Sequence, residues 1–184
     1  GTIKVQLSNG SGFDPPSEWI GNFGKDGQII LGDFNGDGKA DICASYKAKG
    51  DFYVALSDGK KFVNKGLWLS GFCKGGTAFS ADAKGNGLSA VSVYSVSDGF
   101  ERLNYTANNG TSFVNSSGDT WFDDSRYAPA PILGDFDGDG ISDIYRFDLN
   151  EYWFGAISGI WIMSPSITAA SPISIHFPAA ITIS

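Results

Sequence analysis

Two short stretches of the chain concentrate oxygen donors in a pattern suited to a hard divalent cation. Asp33-Phe-Asn35-Gly-Asp37-Gly-Lys39-Ala-Asp41 and Asp135-Phe-Asp137-Gly-Asp139-Gly-Ile141-Ser-Asp143 carry oxygen-bearing side chains at positions 1, 3, 5 and 9 and glycine at positions 4 and 6. Calcium takes six to eight oxygens in a flexible cage. A nine-residue loop encircles an ion only if its backbone curls tightly, which glycine permits. Position 7, Lys39 or Ile141, is expected to contribute its backbone carbonyl, because its side chain differs freely between the copies. Neither loop holds His or Cys, which disfavours zinc and copper. The carboxylates so gathered repel one another unless a cation intervenes, and two bound divalent ions would bring the formal charge of −7 to −3. The loops open like EF-hands, yet Ala44 and Arg146 stand at position 12, where an EF-hand requires Glu. The ninth residue is Asp followed by Ile, so each loop is expected to run into a strand. The competing reading, solvated Asp-Gly turns that bind nothing, is disfavoured by two spaced copies of one nine-residue pattern.

A third copy sits between them and is defective. Asp82-Ala-Lys84-Gly-Asn86-Gly-Leu88-Ser-Ala90 has Lys at position 3 and Ala at position 9. It is expected to bind no calcium, with the Lys84 ammonium reaching into the space an ion would fill. Asp33, Asp82 and Asp135 are spaced by 49 and 53 residues, and Trp19, Trp68 and Trp121 each stand fourteen residues upstream. The segments 5–10, 54–59 and 105–110 each end in Gly, with Phe13, Phe62 and Phe113 three residues beyond. Three independent markers on one period define a repeat.

Within one repeat, Asp41–Tyr46, Asp51–Ser57, Lys61–Trp68 and Thr77–Ala81 read as strands, with Ser57-Asp58-Gly59 as a hairpin turn. Four strands per ~50 residues match a β-propeller blade. The expected architecture is therefore all-β, with about three to four such units in a partial or oligomer-completed ring; a β-sandwich remains open. The repeat domain spans 1–159, divided as 1–32 (partial), 33–81, 82–134 and 135–159 (partial). Residues 160–184 contain no Lys, Arg, Asp or Glu; a closing strand, a tail and a segment foreign to the repeat all remain open for them.

Leu31-Gly-Asp-Phe-Asn-Gly-Asp-Gly-Lys-Ala-Asp-Ile42 and Leu133-Gly-Asp-Phe-Asp-Gly-Asp-Gly-Ile-Ser-Asp-Ile144 resemble the calcium motif of FG-GAP/VCBS repeats. Such repeats occur in integrin α-subunit propellers, some lectins and secreted toxins and enzymes. The resemblance covers roughly residues 3–158. It implies calcium ligands at 33, 35, 37, 39 and 41 and at 135, 137, 139, 141 and 143, an extracellular location, and a carbohydrate or protein partner. The middle repeat and the uncharged C-terminus depart from the family pattern.

The remaining features narrow the function classes. The acidic balance offers no basic stripe for nucleic acid. No run of 18 apolar residues is present, so no membrane span is expected. Aromatic rings recurring once per repeat, Trp19, Trp68 and Trp121, suit either sugar stacking in a multivalent lectin or packing between units. An adhesion or self-assembling scaffold is the other binding reading, and unpaired sheet edges in an incomplete ring allow a homo-oligomer. Catalysis is not expected, because His176 stands alone and no carboxylate pair is singled out. Cys43 and Cys73 form one disulfide or remain free thiols. Sequons at Asn9, Asn104, Asn109 and Asn115 point to a secretory route if the source is eukaryotic.

Overall fold

The computed structural model describes residues 1–115, 120–124, 130–146, 154–157 and 160–163, and every regular element among them is a β-strand. An antiparallel pair, β1 (Ile3–Val5) and β2 (Ser17–Ile20), precedes three four-stranded antiparallel sheets. The first sheet is the meander β3 (Gln28–Gly32), β4 (Asp41–Tyr46), β5 (Asp51–Ser57) and β6 (Phe62–Leu69). The second contains β7 (Thr77–Ala81), β8 (Ala90–Ser97), β9 (Phe100–Tyr105) and β12 (Thr120–Asp124). A separate hairpin, β10 (Ala107–Asn108) with β11 (Phe113–Val114), is inserted before its last strand. The third is β13 (Ile132–Gly134), β14 (Asp143–Arg146), β15 (Phe154–Ile157) and β16 (Ile160–Met163). Among the described residues the sheets close into neither a barrel nor a ring.

The strands follow their residues. Val, Ile, Phe and Tyr make up nine of the 21 residues of β4, β5 and β8, where branched and aromatic side chains pack well on a pleated surface. Asp98 (φ 55°) and Gly99 (φ 78°) form a two-residue turn between Ser97 and Phe100, the backbone that matches strand twist. The turn expected at Ser57-Asp58-Gly59 is longer: Ser57 pairs with Phe62, and the Asp58 N–H donates to the Lys61 carbonyl at 3.0 Å. Asp58 Oδ1 accepts the N–H groups of Lys60 and Lys61, as Asn9 Oδ1 accepts those of Ser11 and Gly12, and Asn109 Oδ1 those of Thr111 and Ser112. The three marker turns thus share one side-chain-closed geometry.

The sheets place the repeat boundaries differently from the sequence reading. Thr77–Ala81 pairs with Ala90–Tyr94, so it opens the second sheet rather than ending the first. The strand before each acidic loop pairs with the strand after it, and so belongs to the same sheet. Ile160–Met163 pairs with Phe154–Ile157, so the third sheet extends past the expected boundary at 159. Trp153, His176 and residues 164–184 as a whole lie outside the described residues.

The core lies between units. In β4, Asp41 through Ser45 are all buried, so both faces of that strand are covered. One face packs Cys43, Phe52, Val54 and Trp68 with Ala78, Val91, Val93 and Phe113 of the following unit. The other packs Ile42, Ala44 and Ala55 under Phe23, Ile3 and Ile20 of the preceding segment. β3 lies beside β7, and β7 beside β13. Between the first two, the Gln28 side chain brackets Ala78: Nε2 donates to the Ala78 carbonyl at 2.8 Å and Oε1 accepts its N–H at 3.1 Å.

Candidate metal centre

Each acidic loop joins the first two strands of a sheet. Its mouth is closed by a cross-strand pair: Gly32 with Asp41, Ala81 with Ala90, Gly134 with Asp143. The glycines at positions 4 and 6 have positive φ in all three copies: Gly36 and Gly38, Gly85 and Gly87, Gly138 and Gly140. That left-handed backbone is what turns successive amides inward and would strain any other residue. The position-1 carboxylate gathers these amides. Asp33 accepts N–H groups from Gly36 (2.7 Å), Asp37 (3.1 Å) and Gly38 (2.7 Å), and Asp135 accepts from Gly138 (2.7 Å) and Gly140 (2.9 Å). Asp82 does the same with Asn86 (3.3 Å) and Gly87 (2.7 Å), so the middle loop keeps the curl although it has lost two ligand side chains.

Position 9 is where the copies part. Asp41 and Asp143 are 0% and 2% exposed, and each accepts the N–H of position 2, from Phe34 at 2.9 Å and Phe136 at 2.8 Å. Asp41 Oδ1 also accepts the Ser57 N–H at 2.7 Å. Burial pushes the Asp41 carboxyl above the usual carboxylate range, against the pull of those two amides, and the nearby charges of Asp37 and Asp33 push the same way. A buried carboxylate beside two others is stabilised by a cation.

Loops 33–41 and 135–143 present their carboxylates differently. Asp135, Asp137 and Asp143 bring ligand oxygens within 4.8 Å of one another, the converging group of three among the described residues. In the first loop the Lys39 ammonium holds Asp37 Oδ2 at 2.9 Å, and Asn35 Nδ2 donates to the same oxygen at 3.2 Å. The Lys39 hydrogen bond keeps Asp37 below the usual carboxylate range. Position 7 of the third loop is Ile141, whose N–H donates to Asp139 Oδ1 at 2.8 Å as the Lys39 N–H does to Asp37 Oδ1 at 2.9 Å. The donor set is hard oxygen in both loops, the ligand type calcium takes, and Asp135, Asp137 and Asp143 could hold a metal ion. In the middle loop the Lys84 ammonium lies 5.3 Å from the Tyr105 ring centroid, a cation–aromatic contact.

Neighbouring loops are joined by contacts the sequence reading overlooked. The Ser89 N–H donates to the Asp33 carbonyl at 2.7 Å, and Ser89 Oγ accepts the Asp33 N–H at 3.1 Å. Ser142 repeats both bonds on Asp82, at 2.8 and 2.9 Å. Both serines occupy position 8. The residues before them, Leu88 and Ile141, cover the position-4 glycine of the preceding loop: a Cβ at Gly36 would lie 3.0 Å from Leu88, and one at Gly85 2.6 Å from Ile141. Asn108 Nδ2 adds bonds to the Phe34 carbonyl (2.8 Å) and the Ser89 carbonyl (2.6 Å). The signal was present in the sequence, since loops two and three carry an apolar-Ser pair where the first has Lys39-Ala40.

The recurring tryptophans prove to be packing wedges where their rings are described. Trp19 and Trp68 are each 8% exposed, and each meets the marker Phe of the next unit, Phe62 and Phe113, at centroid distances of 5.1 Å. Rings so covered offer no face to a sugar, which leaves packing between units of the two readings for Trp19 and Trp68. The Trp121 side chain lies outside the described residues. Phe13, first of its series, is 72% exposed. Cys43 and Cys73 are free thiols rather than a disulfide, and burial raises the pKa of both.

Comparison with known proteins returned no matching family model, no matching curated protein and no matching solved structure. Among the described residues no helix is long and apolar enough to cross a membrane.

Proposed function

We propose that the chain is a calcium-stabilised, non-catalytic binding module of the extracellular space, built from propeller-type repeats of the FG-GAP/VCBS kind. The observation that carries this reading is the convergence of Asp135, Asp137 and Asp143 at the closed mouth of a glycine-curled loop, with the same curl in loop 33–41. In this reading the ion ties the start of β4 or β14 to the turn before it and offsets the repulsion of the buried position-9 carboxylate. Calcium that binds the folded chain alone stabilises it by mass action, about 2.7 kcal/mol at a hundredfold excess over Kd. Affinity falls in the range of extracellular modules, roughly 10⁻⁴–10⁻³ M.

The test is calorimetric titration with calcium together with thermal unfolding in calcium and in EDTA. Two ions and a lower melting temperature in EDTA are expected, with Lys39 leaving Asp37 as the first loop fills. One ion would assign the metal to loop 135–143 alone. No binding and an unmoved melting temperature would end the calcium reading.

A protein-interaction scaffold is the second reading, favoured by the exposed Phe13. Its counterparts Phe62 and Phe113 each pack on a Trp of the preceding unit. A partner or second copy that covers Phe13 would shift the sedimentation of the wild type but not of Phe13→Ser.

A further inference from the structure

A cavity of about 340 Å³ runs along the first sheet from the β4–β5 turn to Asn64 of β6, facing the segment that leads into β3. Its walls are Tyr46, Lys49, Asp51, Tyr53 and Asn64, closed on the other side by Asn22 and its neighbours. This volume is at the lower end of the ~300–1,000 Å³ of small-molecule sites. The Tyr46 and Tyr53 rings meet edge to face, 5.6 Å apart at 85°. The rim is pinned: Gly50 and Lys49 both donate N–H bonds to the Tyr46 carbonyl, at 2.8 and 3.0 Å, and the Phe72 N–H donates to the Gly50 carbonyl at 3.0 Å. Gly50 has φ 68°, and a Cβ there would run into the Phe72 backbone, so the turn fits in one way.

The polar groups of this cavity are largely unspent. Ser70 Oγ donates to Asp51 Oδ1 at 2.6 Å, leaving Oδ2 to accept. The Gly66 N–H donates to Asn64 Oδ1 at 2.9 Å, leaving the amide nitrogen to donate. Among the described residues the hydroxyls of Tyr46 and Tyr53, the Asn22 amide and the Lys49 ammonium carry no hydrogen bond. Donors and acceptors therefore both line the cavity beside two aromatic rings, and the one cation and one anion balance. The two rings also flank the cluster of Phe23, Ile42, Ala44 and Ala55, but they are not a repeated feature of the sheets. Tyr46 pairs with Asp51 and Tyr53 with Ala44; at the matching pairs of the second sheet, Ser95 stands opposite Arg102 and Asn104 opposite Val93. The buried tryptophans recur from unit to unit, and this pair does not.

We propose that this cavity binds a neutral saccharide, one sugar ring resting against the tyrosines with its hydroxyls shared among Asp51, Asn64, Asn22 and Lys49. A hydroxyl both donates and accepts, which suits the mixed rim. Cancelling charges disfavour a phosphate or a lone cation. The inference rests on the binding-module reading and gives it a site, which the tryptophans do not.

The test is titration of the full chain with glucose, galactose, mannose and N-acetylglucosamine, followed by chemical-shift changes of tyrosine and backbone resonances. Saturable binding of at least one of them is expected, with Kd on the order of 1 mM. Asn64→Ala, at an exposed position, and Tyr53→Phe, which keeps the ring, should each weaken it about three- to tenfold with unfolding temperature unchanged. Tyr46→Ala/Tyr53→Ala should abolish it. No binding of any of the four, binding that both single variants leave intact, or preferential binding of choline would overturn the proposal. Repeating the titration in EDTA, below the melting temperature, separates it from the calcium reading. Binding that persists there while EDTA leaves unfolding unmoved would uphold the cavity and remove the structural ion.

Discussion

Loops 33–41 and 82–90 adopt the same curl, with the same glycines in the left-handed region and the same Asp collecting amides, yet they satisfy the strand that follows in opposite ways. In the first, the buried Asp41 takes the N–H groups of Phe34 and Ser57. In the second, position 9 is Ala90, and Thr106, the counterpart of Ser57, bonds the next residue instead: its Oγ1 accepts the Val91 N–H at 3.2 Å and donates to the Val91 carbonyl at 3.2 Å. One unit buries a carboxylate at this place; the other buries a neutral hydroxyl. The backbone curl therefore does not depend on an acid at position 9.

This contrast can be broken at three points. The largest effect is expected from Asp41→Ala, which leaves two buried amides without an acceptor, at about 1–3 kcal/mol each; urea unfolding of the calcium-free protein should show a loss of about 2–6 kcal/mol. A loss below about 1 kcal/mol would mean that water replaces the carboxylate. Next, Thr106→Val removes the substitute in the middle unit and should cost about 1–3 kcal/mol. That cost should be the same with calcium as with EDTA, whereas the Asp41 variant should lose calcium response as well. A calcium-dependent cost for Thr106→Val would place an ion in the middle loop after all. Smallest, Ser89→Ala removes the hydroxyl that accepts the Asp33 N–H while leaving the Ser89 backbone bond in place. About 1 kcal/mol is expected, with weaker calcium binding at the first loop and none of that weakening in Ser142→Ala, whose partner is Asp82 of the middle loop.

Much of the loop chemistry was legible in the sequence because ligand type and glycine placement are local. Positions 4 and 6 had to be glycine for a tight curl, and all six glycines have positive φ. The strands Asp41–Tyr46, Asp51–Ser57 and Thr77–Ala81 were equally local and have those bounds. What escaped was non-local. Whether Thr77–Ala81 closes one sheet or opens the next depends on a partner strand, not on its own residues. Ser89 and Ser142 look like ordinary loop polars until their partners 56 and 60 residues away are known. Trp19 and Trp68 recur at a fixed spacing that serves packing and ligand stacking alike; only burial separates the two. The Tyr46–Tyr53 cavity was invisible because its far wall, Asn22 to Gly24, comes from a segment with no repeat marker.

The bonds between loops also set an order of events at the ribosome. The first Asp-rich loop is complete as a string of residues once Asp41 has emerged, but both backbone groups of Asp33 wait for Ser89, and the Phe34 carbonyl waits for Asn108, 74 residues further on. A nascent chain halted before the second loop would hold the ligands of the first site without the buttress that fixes its leading carboxylate. The first loop is thus finished by the second, and any metal capture there should lag synthesis by about one repeat.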